Sequence, residues 1–240
     1  SATVRMANSV FFSGGTPVDT VSQAIMRLGA RELYRLAALS LASRWMAIEA
    51  DGYRWEAGDF CRASLVKAVA AEALAQSTGL ADPALAYTCG LVHDIGKLAM
   101  AFSCAPSFAA IRARTAETGC TWLAAETAEL GFNHASVSAR LLSEWRFPEA
   151  CVAVAANNPP IPEQLTPEQL ALAAHVHAAQ HLAAALGVGQ GEDAFLYELN
   201  PGLLAGHGMT EDLLEKTLPV LLERVTKLLG ERLATGKIVF

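Results

Sequence analysis

The stretch Gly90-Leu91-Val92-His93-Asp94-Ile95-Gly96-Lys97-Leu98 sets a histidine beside an aspartate inside an otherwise apolar run. An imidazole nitrogen and a carboxylate oxygen offered together suit a first-row divalent metal. Such a metal can orient a phosphate and activate a water molecule. Glycine on either side of the pair lets another backbone or a ligand come close. Lys97, four residues after His93, falls on the same helix face and can neutralise Asp94. A buried His-Asp couple can also do no more than satisfy itself, so the surrounding sequence has to decide.

Other groups capable of chemistry are weaker. His177-Ala178-Ala179-Gln180-His181 puts two imidazoles on one helix face. A zincin needs glutamate directly after the first histidine as its general base, and Ala178 stands there. Histidines on a partly buried helix are the expectation. Arg27, Arg31 and Arg35 recur every four residues and form a stripe if their helix runs through Gly29. That stripe has the chemistry to hold a phosphate or an acidic partner helix. A solvated face with local pairs to Glu32 is the plainer reading. Gly187-Val188-Gly189-Gln190-Gly191 follows a helix and not a strand, so it fails the context test for a dinucleotide loop. No Ser-His-Asp or Cys-His order stands out, and there is no Walker-type lysine loop.

The elements that must position these residues are helices, because three- and four-residue periodicity dominates and strand-like alternation is nearly absent. Helices are predicted over about 19–28, 30–50, 58–78, 82–101, 105–118, 121–129, 134–145, 148–156, 166–186 and 210–235. Asp19, Asp82-Pro83 and Thr166-Pro167-Glu168 are helix starts. Gly79, Gly119 and Gly187 are helix stops. In the last helix Leu213, Leu214, Leu218, Leu221, Leu222, Val225, Leu228 and Leu229 form a stripe expected to pack on the bundle. Pro219 is expected to kink or divide that helix. The Gly-rich region from Gly187 to Gly208 is the one candidate boundary. It separates a helical domain over 1–187 from a connection and C-terminal helices over 188–240.

Composition narrows the function. The 240 residues are 52% hydrophobic and only 18% charged, below the roughly one quarter usual for charged types. That balance favours a self-association face. The formal net charge of −6 argues against a general nucleic-acid binder. No apolar run reaches the length of a membrane span, and the opening residues do not form a signal peptide. Cys61, Cys89, Cys104, Cys120 and Cys151 make no Cys-x-x-Cys pair, and read as reduced core cysteines of a cytoplasmic protein.

Leu-Val-His-Asp-Ile-Gly-Lys-Leu resembles the signature of HD-type metal-dependent phosphohydrolases, and most closely the HDOD variant, the HD-related output domain. Arg5-Met6-Ala7-Asn8-Ser9 is similar to that family's "LANS" segment, and Ala24-Ile25-Met26-Arg27-Leu28-Gly29 to its "AI.RLG". Asn133-His134-Ala135-Ser136-Val137-Ser138-Ala139-Arg140-Leu141-Leu142 followed by Trp145-Arg146-Phe147-Pro148 is similar to "HA..GA.LL..W.LP". Because the first match lies almost at residue 1 and the family normally has further helical residues before it, the chain is read as a trimmed domain or an output domain cut from a longer protein, which leaves open a receiver or other sensor domain upstream.

The resemblance implies an all-α fold, an HD-like multi-helix bundle with a C-terminal helical extension. It also implies a metal site of which only His93, Asp94 and His134 remain. Alignment puts Ala63 at the first histidine and Ala179 near the late aspartate, while Asn157-Asn158-Pro159-Pro160 replaces the family's "HH.P". In catalytic relatives a lysine at the place of Lys97 can meet phosphate. With two ligand places held by alanine, the expected site is vestigial. No catalytic residue and no cofactor is expected, beyond weak divalent metal binding. The implied function is a bacterial signal-transduction output domain, as in response regulators, acting through a protein partner or ligand, a second copy of the chain being one candidate partner, with no nucleic acid or membrane. The alternative is a metal-dependent phosphohydrolase acting on a nucleotide or cyclic dinucleotide.

Overall fold

A computed structural model describes residues 52–188 and 199–233, together with positions 23, 26 and 29. Among the described residues the chain is helical, without an extended sheet. The predicted helices 19–28 and 30–50, the Asp19 cap and Arg27, Arg31 and Arg35 lie outside the described residues, isolated positions aside. Gly29 has φ +76°, in the left-handed region that favours glycine.

The central element is α1 (Asp59–Thr78), which is rich in alanine and buried over most of its surface. A helix apolar on all sides needs neighbours all round it. α1 packs against α2 (Pro83–Val92), α8 (Pro167–Ala185) and α10 (Glu211–Leu233). A second layer joins α3 (Ile95–Ser103) to α6 (His134–Glu144), and α6 to α7 (Glu149–Ala156). α4 (Phe108–Thr118) and α5 (Trp122–Leu130) pair beside it, and the short α9 (Pro201–Gly206) leans on α8.

Local chemistry sets most of the boundaries. The Asp82 carboxylate accepts from the Leu85 amide at 2.9 Å, with Pro83 following as the first helical residue. Thr166 and Gln169 form a reciprocal capping box at the start of α8. Gly79, Gly119 and Gly187 all take the left-handed conformation that ends a helix. Two expectations need correction. The helix predicted over 82–101 is broken at His93 and Asp94 into α2 and α3. Pro219 does not divide α10, which runs on through it. On α10, Leu221 and Val225 are buried and Leu213, Leu214 and Leu218 pack partly on the core. Leu222 is half-exposed instead, on the far side of the helix.

An aromatic cluster seals one end of the bundle. Tyr53 stacks on Trp55 with ring centres 4.6 Å apart and meets Phe108 edge-on at 4.8 Å. The five cysteines are unbridged. Cys89 on α2 and Cys151 on α7 bring their sulfurs within 2.8 Å in a fully buried position, and burial pushes the Cys89 thiol well up. Among the described residues no helix is long and apolar enough to cross a membrane.

α8 carries three histidines that burial holds neutral. The His177 pKa is lowered to about 4, first by burial and then by His181, whose ring lies edge-on at 4.7 Å. His175 and His181 are shifted the same way, also by burial first. An unfolded histidine protonates near pH 6.5. Between that value and about 4 the unfolded chain therefore binds more protons than the folded one, and stability is lost as the pH is lowered across the window. Each such histidine contributes a slope of up to about 1.4 kcal/mol per pH unit. Urea denaturation at pH 7, 6 and 5 is expected to show midpoints that drop as the pH is lowered, less steeply in His177→Gln than in the parent. Equal slopes for the two proteins would refute this assignment.

Candidate functional site

The break at His93 and Asp94 is what creates the site. Asp94 occupies the N-cap position of α3 but makes no capping bond with its side chain. An N-cap aspartate ordinarily bonds the amide of the second or third helical residue. Here the Gly96 amide is bonded instead by Ser138 Oγ of α6, at 2.8 Å. The Asp94 carboxylate is thereby released into the interior, where it is 2% exposed.

Two glycines bring the surrounding helices in, as their positions beside the His-Asp pair lead one to expect. A Cβ on Gly90 would lie 2.8 Å from the Lys67 carbonyl oxygen, so α2 rests directly on the backbone of α1. A Cβ on Gly96 would collide with the His134 carbonyl and lie 2.6 Å from the Ser138 amide. The two approaches bring the backbones of α1 and α6 close on either side of the His93-Asp94 corner.

The carboxylate is occupied by cations. Lys67 Nζ donates to Asp94 Oδ2 at 2.5 Å, and Lys97 Nζ donates to the same oxygen at 3.2 Å. Asn158 Nδ2 donates to Oδ1 at 3.4 Å. Burial works to raise the Asp94 carboxyl, but His93, Lys67 and Lys97 outweigh it and hold the group well below the usual carboxylate range. His93 Nε2 lies 3.5 Å from Oδ2. Its Nδ1 lies 3.1 Å from the carbonyls of Cys89 and Gly90, which only accept, so Nδ1 carries the proton. Burial first, then the two lysines, lower the His93 pKa to about 4. The neutral ring thus presents a lone pair at Nε2.

His134 is oriented by a carboxylate. Its Nδ1 lies 2.6 Å from Glu126 Oε2, and its backbone amide donates to the same oxygen at 2.8 Å. Glu126 Oε1 accepts from the Tyr53 hydroxyl at 2.7 Å. Burial pushes Glu126 up, and the His134 bonds bring it below its ordinary value. A carboxylate behind an imidazole is the arrangement that fixes a metal-binding tautomer. Nε2 of His93 and Nε2 of His134 are both buried without a hydrogen-bond partner.

The two imidazole nitrogens have the right chemistry for a divalent ion, yet the carboxylate oxygen such an ion needs is already held by the Lys67 ammonium. Among the described residues no group of three His, Cys, Asp or Glu side chains is arranged to hold a metal. Ala63 and Ala179 are buried and can donate nothing. Asn157 bonds its own helix through Nδ2 and leaves Asp94 to Asn158. As arranged, the donors do not fit a divalent ion.

His93, Asp94 and Lys97 converge as their spacing predicts, and His134 stands one helix away, within electrostatic reach of Asp94. Sequence reasoning passed over Lys67, Glu126, Tyr53 and Ser138. The signal for Lys67 was present: it is a lone charge inside the apolar run Ser64-Leu65-Val66-Lys67-Ala68-Val69-Ala70. His177 and His181 lie on α8 as an edge-to-face pair.

A helical bundle broken at a buried His-Asp step defines the HD-like class, and the family comparison places the chain within it. The HDOD domain profile matches residues 1–159, and the chain belongs to that family. Solved structures share the fold. An HDOD domain protein of unknown function from Geobacter sulfurreducens is 21% identical, with a TM-score of 0.59 over 96% of this chain and 78% of that one. A candidate signal transduction protein from Marinobacter aquaeolei VT8 is 22% identical, with a TM-score of 0.66. This chain covers 51% of the Marinobacter protein, about half its length, and 96% of its own. A candidate phosphohydrolase from Shewanella amazonensis SB2B is 22% identical, with a TM-score of 0.57 over 95% of this chain and 77% of that one. No curated protein matches significantly.

The close approach at Gly96 gives a direct test of the geometry. Gly96→Ala forces a methyl group into the backbone of α6, which cannot move aside as a flexible side chain can. Overpacking of this kind costs about 1–3 kcal/mol or more. Urea denaturation is expected to show at least that loss, while Gly206→Ala, which meets nothing within 4 Å, should be nearly neutral. Equal effects would disprove the packing of α3 on α6.

Proposed function

We propose that this chain is a non-catalytic signal-transduction output domain of the HDOD family. It works in the cytoplasm by binding a protein partner or ligand, with a vestigial HD site that serves the fold. The observation that carries this reading is the Asp94 carboxylate, engaged by Lys67 and Lys97 at the place where a hydrolase needs a metal. Water activation requires a metal held by several donors with one position left open. Only His93, Asp94 and His134 remain as donors here, and a lysine competes for the single charged one. Half-exposed or exposed Phe102, Trp145, Val220 and Leu222 supply apolar surface for a partner or a second copy.

One observation favours the other class. The unpartnered Nε2 atoms of His93 and His134 are chemically suited to a metal, and one structural neighbour is described as a candidate phosphohydrolase. A hydrolase acting on a nucleotide or cyclic dinucleotide is therefore the second reading. The purified chain is expected to hydrolyse neither p-nitrophenyl phosphate nor a cyclic dinucleotide above background when manganese or ferrous iron is supplied. Turnover that Asp94→Ala abolishes would replace the output-domain reading with the enzyme. Light scattering at micromolar concentration is expected to show self-association, and a strict monomer would leave only a foreign partner or ligand.

A further inference from the structure

We propose that Cys89 and Cys151 are an oxidation site, where hydrogen peroxide joins the two sulfurs in an intramolecular disulfide that cross-links α2 to α7 inside the folded bundle. The inference goes beyond the output-domain reading and does not rest on it.

The two sulfurs come from residues 62 positions apart in sequence and lie 2.8 Å from one another. Both residues are fully buried, and both are free thiols. A disulfide needs a sulfur separation of about 2.05 Å, so less than about 1 Å of travel remains. The approach is fixed by tertiary packing and not by a local turn. α2 lies on α1, α7 lies on α6 and α8, and the two helices touch each other. Groups held in contact in this way react as an intramolecular pair, with no encounter to wait for. The same two helices flank the polar interior. The Cys89 carbonyl lies against His93 Nδ1, and Asn158, two residues past the end of α7, donates to Asp94. A bridge between the sulfurs fastens these two supports together.

Hydrogen peroxide is hardly larger than water, which suits a pair that burial closes to bulky oxidants. One thiol gives up its proton and its sulfur attacks a peroxide oxygen. The S–O bond forms, the O–O bond breaks, and the departing hydroxide takes the proton as water. The second sulfur then attacks the sulfenic sulfur. The S–S bond forms, the S–O bond breaks, and the second thiol's proton leaves with the hydroxide as another water. The two thiols together lose two electrons, and the peroxide gains them. Burial pushes the Cys89 thiol well up, so thiolate is scarce and the first step is slow. The second step finds its partner already in contact, which diverts the sulfenic acid to the bridge before further oxidation. In a reducing compartment such as the cytoplasm proposed above, disulfides are rare and serve as transient, redox-sensing bonds.

The test treats the full, folded chain with a small molar excess of hydrogen peroxide and blocks remaining thiols with N-ethylmaleimide. Intact mass, peptide mapping without reductant and melting temperature are then read. The wild type should lose the mass of two hydrogen atoms, and the peptides carrying Cys89 and Cys151 should be joined to each other. Dithiothreitol in urea should separate them. Because the bridge closes a loop between residues 62 positions apart, melting should rise by several degrees. Cys151→Ala should leave Cys89 outside any disulfide and show no such rise. Should that variant fail to fold, the wild-type peptide map decides alone. Oxidation confined to the half-buried Cys104 and Cys120 would overturn the proposal. So would oxygen added to Cys89 or Cys151 without a bridge, or a bridge that forms only when peroxide is added in urea.

Discussion

A carboxylate buried at 2% exposure has to be matched by positive charge or the helices around it separate. That demand, made by Asp94, organises the interior of the bundle. It is met from α1 by Lys67, from α3 by Lys97 and from the end of α7 by Asn158. Three elements far apart in sequence are thus drawn to one side chain. The same demand explains why α2 and α3 are separate helices: an unbroken helix through Asp94 would leave no reason for its N-cap role to pass to Ser138.

Charge alone does not close such a site, because backbones have to come near enough for short side chains to meet. Gly90 and Gly96 provide that nearness, one against α1 and the other against α6. Their sites are buried and leave no volume for even a methyl group. The ordering of the site and the packing of the bundle are therefore a single structural problem, solved at the same few positions.

Much of this was legible in the sequence. The caps at Asp82 and Thr166, the stops at Gly79, Gly119 and Gly187, and the role of the flanking glycines all follow from local rules. They act within four residues, where residue type decides. The break at His93-Asp94 was not legible, because the local pattern is uniformly helical and the break is driven by what Asp94 meets across the bundle. Lys67 and Glu126 were hidden for the same reason: their partners lie 27 and 8 positions away and depend on how α1 and α5 sit. Alignment to family ligand positions drew attention to Ala63, one turn before the residue that matters. An isolated lysine in an apolar helical run has a cost that only a buried partner offsets, and that was the readable clue.

Glu126 divides its two oxygens between Tyr53 and His134. One side belongs to the aromatic cluster that follows residue 51, the other to the imidazole beside the buried charges. A carboxylate that is fully buried and bonded at both ends behaves as a rigid coupling rod. The aromatic cluster at Tyr53 and the polar interior at His134 thus share one buried carboxylate, so neither can be repacked without changing what the other bonds to.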